Sequence, residues 1–265
     1  MHIHKHSFYA AALAALVSLT GCDGILSGIY DEPPAEDVHT IAGQLYVDAS
    51  DWTQWHYIDL GAVVDSVALD PEFNTSALWK TSAIPLTPQG DPLTVEPAAQ
   101  SPGIYTYWYD VFGVGISKYE FRSYQPTAQQ PEPEKWSFAV HRNNVRTNGG
   151  PAAATGLGSL DQLPDDRGYY NNLDFVPDAW NQLDVWTVQD RMLLGIVGNQ
   201  GINVNPVLSG WLAMEIPPMP PVFKLCSNVF ILKLADGSMA ALQLQNYQST
   251  TGTKCCLTIN YRYPL

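Results

Sequence analysis

Residues 229–235 and 238–247 are two apolar-rich runs separated by Asp236-Gly237. An Asp-Gly pair between such runs is the strongest short-range hairpin signal, because these residues tolerate the positive φ that a tight turn demands. A third run, 254–263, sets Cys255, Leu257, Ile259 and Tyr261 on one face at period two. Together the three runs commit the C-terminal forty or so residues to an antiparallel sheet with a face to bury. The same period recurs upstream. Ile41, Leu45 and Val47 fall on one face of 41–48, and Trp136, Phe138 and Val140 alternate with Ser137, Ala139 and His141 in 135–142. Residues 104–112 (IYTYWYDVF) are dense in aromatic and β-branched side chains. No window carries a long amphipathic helix. The expected fold is all-β: one antiparallel β-rich domain with long loops.

The loops are expected in three places. Residues 68–103 and 124–134 are rich in Pro, Gln, Thr and Ser, and 144–183 carries Gly149, Gly150, Gly156, Gly158 and Pro164. That much irregular chain beside a sheet points to a functional region or to covered sheet edges. There is no internal repeat, and no linker after residue 40 divides the chain.

The N-terminus is a processing signal rather than part of the fold. A short basic start (His2, His4, Lys5, His6) precedes the apolar run 8–19, FYAAALAALVSL. That run is too short to span a bilayer as a helix and suits the core of a signal peptide. It ends in Leu19-Thr20-Gly21-Cys22, which fits a bacterial lipobox: small residues before the cut, then a thiol to take diacylglycerol. The expected organisation is a signal peptide over 1–21, a lipidated acidic tether over 22–40 and a β domain over 41–265. Asp31, Glu32, Glu36 and Asp37 cluster in the tether, which is expected to hold the protein on the outer membrane, exposed at the cell surface.

Composition excludes several functions. With 46% hydrophobic and 15% charged residues the chain is globular, not disordered. Its net charge of −13 sets it against nucleic acid, whose phosphates would repel it. Catalytic motifs are missing: there is no Gly-x-Ser-x-Gly, no His-Glu-x-x-His and no phosphate loop ending in Lys-Ser or Lys-Thr. Beyond the signal peptide the histidines are His39, His56 and His141, and no ligand spacing supports a zinc site built on His56, His141 and a carboxylate. Asp161, Asp165, Asp166, Asp174 and Asp178 lack the regular spacing of a calcium loop. The expectation is a protein that is not an enzyme. Two readings stay open for the cysteines: Cys226 bridges to Cys255 or Cys256, or all three are buried thiols. Cys255 and Cys256, as strand neighbours, face opposite sides and do not suit a bridge to each other.

Three blocks carry a family resemblance: 47–58 (VDASDWTQWHYI), 135–150 (KWSFAVHRNNVRTNGG) and 229–263 (VFILKLADGSMAALQLQNYQSTTGTKCCLTINYRY). They resemble the HmuY-like haem-binding lipoproteins, and the lipobox and acidic tether suit that family. The resemblance runs with gaps from Ile41 to Leu265. It implies an all-β, hand-shaped fold that grips haem between loops, captures it outside the cell and passes it to a TonB-dependent outer-membrane receptor.

The resemblance also implies a pair of axial iron ligands. The family pattern places one in Gly-Trp-Leu-x-x-x-His-x-Pro-x-x-Pro, which here is Gly210-Trp211-Leu212-Ala213-Met214-Glu215-Ile216-Pro217-Pro218-Met219-Pro220-Pro221. Ile216 holds the histidine position, and no histidine lies between Asp184 and Pro206. A bis-histidine site is therefore excluded, and His141 belongs to a shared strand block rather than to the ligand pair. Some members of the family use methionines, which makes Met192, Met214 and Met219 the candidates here, with Met192 and Met219 the first choice. Thioethers are soft ligands that favour reduced iron. Met219 sits between Pro217-Pro218 and Pro220-Pro221, which stiffen the loop and present its side chain at low entropic cost, whether as ligand or as gap-filler. Met239 is expected in packing. Trp180, Trp186, Tyr169 and Tyr170 are near enough in sequence to line a porphyrin face or to belong to the core. Two other classes are open: a surface glycan- or peptide-binding module without haem, and a structural subunit using 68–134 as an interface.

Overall fold

The structure, a computed structural model, describes residues 42–85, 88–93, 103–110, 115–126, 129–181, 184–187, 196–215 and 221–265. In chain order these form β1 (Gln44–Asp48), β2 (Gln54–Ile58), α1 (Leu60–Leu69), β3 (Lys80–Ala83), β4 (Pro88–Leu93), β5 (Gly103–Asp110), β6 (Gly115–Pro126), β7 (Phe138–His141), β8 (Asn144–Thr147), β9 (Ala152–Ala154), α2 (Arg167–Asn171), β10 (Ala179–Asn181), β11 (Ile196–Val204), β12 (Leu212–Glu215), β13 (Val222–Leu225), β14 (Phe230–Lys233), β15 (Met239–Gln248) and β16 (Lys254–Arg262). Val38–Leu265 is one compact unit. No helix among the described residues is long and apolar enough to cross a membrane.

The sheets are antiparallel throughout. One has the order β1-β16-β15-β14-β9, a second β3-β2-β7-β8, a third β10-β11-β5-β6-β4, and β12-β13 is a separate two-stranded sheet. The C-terminal hairpin forms where the sequence predicts it, with Lys233 opposite Met239 and Phe230 opposite Leu242. Its loop has three residues rather than two, because Leu234 N–H bonds Ser238 O at 2.8 Å. Gly237 takes φ 85°, and Asp236 Oδ1 accepts from Ser238 N–H at 2.8 Å, so each residue of the pair does separate work. The face predicted for the last strand is buried: Leu257, Ile259 and Tyr261 join Leu45, Val47, Phe138, Val140 and Trp211 in the main core.

In the β3-β2-β7-β8 sheet the central strands β2 and β7 are buried on both faces, whereas the edge strand β3 is largely exposed. Phe138 and Val140 point into the main core, while Ala139, Trp55 and Tyr57 join Ile202 and Val204 of β11 in a second core. Trp136 packs in that second core, not beside Phe138 as strict alternation predicts, because β7 starts only at Phe138.

The loop expectations need correction. Residues 68–103 contain the end of α1, a 3-10 turn over Thr75–Leu78, and strands β3 and β4, and β6 runs on to Pro126. β3 and β4 lie at sheet edges, where pairing does not require a buried apolar face and where Pro88 and Pro92 are tolerated. Their polar composition hid them. The 144–183 span likewise holds β8, β9, α2 and β10. α1 is short, capped by Asp59, whose Oδ1 accepts from Gly61 and Ala62 N–H at 3.0 and 3.3 Å, and it buries Leu60 and Val63. Cys226, Cys255 and Cys256 form no disulfide, and the last two are buried.

Candidate functional site

A cleft of about 470 Å³ opens beside β10, the 3-10 turn Leu208–Trp211 and β12. Its walls include Trp180, Trp186, Val204, Pro206, Leu212 and Met214, and its polar groups include Asn143, Asn144, Asn181, Asp184 and Ser209.

Sheet register places the two tryptophans. Trp180 on β10 is opposite Asn203 of β11, and Trp186 makes a bridge to Asn199 of the same strand. Antiparallel partners share a face, and positions four apart on one strand share it too. Trp180 and Trp186 therefore stand on one face of β11, roughly 13 Å apart along the strand. Both are half-buried.

The opposite wall is anchored by Gly210-Trp211-Leu212. Trp211 and Leu212 are fully buried in the main core, while Gly210 lines the cleft. Asn205 fixes the approach: its Oδ1 accepts from Leu208 N–H at 2.9 Å and its Nδ2 donates to Val176 O at 2.9 Å. Ser209 Oγ accepts from Val145 N–H at 2.9 Å, tying the turn to β8. The chain thus leaves the core at Leu212 and carries Ala213 and Met214 along the cleft wall, with Met214 opposite Phe223 of β13. The rim is a hydrogen-bonded clasp. Asn144 Nδ2 donates to Asp184 O at 3.0 Å, Asn181 Nδ2 to Asp184 Oδ2 at 2.8 Å, and Asp184 N–H to Asn181 Oδ1 at 2.9 Å.

Of the sequence candidates, Met214 lines this cleft and is half-buried. Met192 and Met219 lie outside the described residues, as do Ile216 and Cys22. Trp180 and Trp186 line the cleft, but Tyr169 and Tyr170 do not. They pack around Leu163, Val229 and Ile231, where Tyr170 Oη donates to Pro164 O at 2.7 Å. Met239 packs in that same cluster. His56 and His141 are core residues: His141 Nε2 donates to Trp52 O at 2.9 Å, and burial pushes its pKa down to about 4. Among the described residues no three His, Cys, Asp or Glu gather to hold a metal ion. Asn143, Asn144 and Asp184 escaped sequence reasoning, because no motif marks polar groups that meet only when the β7–β8 hairpin packs against a distant loop.

A family model described as HmuY protein matches residues 51–261. The chain belongs to the HmuY family. No curated protein matches it. Among solved structures, HmuY-type architecture recurs in Apo PinO from Porphyromonas gingivitis (19% identity, TM-score 0.57, covering 84% of this chain and 95% of that one). A Bacteroides fragilis protein, provisionally described as a lipoprotein, aligns at 23% identity and TM-score 0.55, over 84% of this chain and 89% of its own. A Bacteroides vulgatus protein, provisionally described as HmuY-like and heme-binding, aligns at 24% identity and TM-score 0.54, over 86% and 97%. At these identities the likeness concerns the fold. The HmuY match spans the β2, β7-β8 and C-terminal blocks, which build the scaffold behind the cleft.

Proposed function

We propose that this chain is a non-enzymatic haem- or porphyrin-capturing lipoprotein, anchored through Cys22 to the outer membrane at the cell surface, which passes its ligand to a TonB-dependent receptor. Residues 1–21 serve as signal peptide, 22–40 as tether and 41–265 as the binding domain. The observation that carries the reading is the meeting of Trp180, Trp186 and Met214 in one cleft of an HmuY-family fold. The heme-binding description of the Bacteroides vulgatus relative and the lipoprotein description of the Bacteroides fragilis one support it.

The lining suits the group in kind. Indole faces and aliphatic side chains take a macrocycle, and a thioether is a soft donor for its iron. No imidazole lines the cleft among the described residues. The proposed ligands are Met192 and Met219, with Met214 the candidate supported by its place in the wall. Bound haem supplies the iron centre, while the chain supplies shape, apolar contact and thioether sulfur, which favours the ferrous state.

The test is a haem titration of the full chain, followed by absorbance with and without dithionite, in wild type and in Met192→Ala, Met214→Ala and Met219→Ala. A saturable Soret shift, stronger on reduction and lost in at least one variant, is expected. A shift that survives all three substitutions overturns the thioether ligands, and no saturable shift in either state overturns haem. The amide-rich rim favours a second reading, a glycan-binding module, which that last outcome would promote.

A further inference from the structure

The described lining of the cleft carries a single formal charge, the carboxylate of Asp184, and no Lys, Arg or His. That carboxylate is held in place: its Oδ2 takes the amide of Asn181, and its backbone is clasped by Asn181 and Asn144. Trp180 precedes this clasp by one residue and Trp186 follows Asp184 by two, so the charge lies between the two indoles in sequence, and all three residues line the cleft. Haem is a dicarboxylate. A ligand lying across Trp180 and Trp186 brings its propionates within range of a fixed negative charge unless it turns them elsewhere. Like charges at a solvated rim disfavour each other modestly, and more strongly at low salt.

We infer that Asp184 is a selectivity residue that sets the cleft against ligand carboxylates, so the porphyrin it takes best is one that presents none at this edge. This rests on the porphyrin reading above. Asp184→Asn keeps an oxygen to accept the Asn181 amide and leaves both backbone bonds intact, so it removes charge with little change of shape.

The test compares haem with its uncharged dimethyl ester, bound by the full chain at low and at high salt. The variants are Asp184→Asn and, as a control for net charge, Asp65→Asn, which lies on α1 outside the cleft lining. Wild type is expected to prefer the ester. Asp184→Asn should strengthen haem binding by about threefold to tenfold at low salt, leave the ester unchanged and lose most of that gain at high salt. Asp65→Asn should do neither. Equal gains for haem and ester, an equal gain in Asp65→Asn, or no gain in Asp184→Asn overturns the inference while leaving porphyrin binding intact. Failure of both porphyrins to bind removes the reading beneath it as well.

Discussion

The Arg142 guanidinium lies 3.8 Å from the centre of the Trp52 ring and donates through Nη1 to Ser50 O at 2.6 Å. Arg142 occupies the tight turn between β7 and β8, where His141 pairs with Asn144, and it takes φ 54°. A buried arginine in a left-handed conformation persists only if its contacts outweigh the backbone cost. Here those contacts join two blocks that lie ninety residues apart, the β1–β2 connection and the β7–β8 turn.

Arg142→Ala should destabilise the domain by about 2–3 kcal/mol, from the lost cation–π contact and the charged hydrogen bond. Arg142→Gly relieves the backbone yet loses the same contacts, and should still be less stable than wild type in urea. A glycine variant as stable as wild type would mean the guanidinium contacts contribute nothing net.

Gly150 follows β8 where the chain passes β14. A Cβ built there falls under 3.0 Å from Lys233 C=O, against backbone that cannot swing away. Gly150→Ala should cost more than about 3 kcal/mol or prevent folding. Gly156→Ala, where no atom lies within 4 Å, should be far milder and should reflect mainly the φ of 76°. Thermal midpoints of the two variants check the contrast.

His141 predicts a pH dependence. Burial holds its folded pKa near 4, against 6.5 for an unperturbed histidine. Between those values the unfolded chain binds the extra proton, so stability rises with pH. The contribution is full above about 6.5 and is lost as pH falls toward 4, with a ceiling on the order of 3 kcal/mol. Burial shifts His56 in the same direction. His141→Gln can still donate to Trp52 O and should flatten this slope. Urea midpoints at pH 7 and pH 4.5 measure the difference, and an unchanged slope would remove His141 as its source.

Trp180→Leu and Trp186→Leu should each weaken haem binding by about fivefold or more, through loss of aromatic contact area. Tyr169→Phe and Tyr170→Phe should leave affinity unchanged, because both rings pack in the Leu163–Val229 cluster. Titration by tryptophan fluorescence quenching separates the pairs. Equal effects from the tyrosine variants would place the ligand elsewhere.

Strands that bury a face were legible in the sequence. β1 and β16 showed period two because one side chain in two must reach the core, and β7 showed it, though buried on both faces, because its large residues Phe138 and Val140 face the main core. β3 and β4 were illegible, since an edge strand pairs through its backbone and leaves little trace in side-chain pattern. Gly210-Trp211-Leu212 was recognisable as a motif, but its role as the anchor that swings Met214 onto the cleft wall appears only once Trp211 and Leu212 are seen buried.

By itself, the sequence determined an all-β chain, because turn chemistry and alternation are local properties, and three of its blocks carried the resemblance to the HmuY family. Only the tertiary structure decided which residues share the cleft. Trp180, Trp186, Asp184 and Met214 meet through the register of β10 on β11 and through a turn pinned by Asn205 and Ser209. Register depends on pairing between distant segments, and a one-residue slip would send each tryptophan to the other face of the sheet.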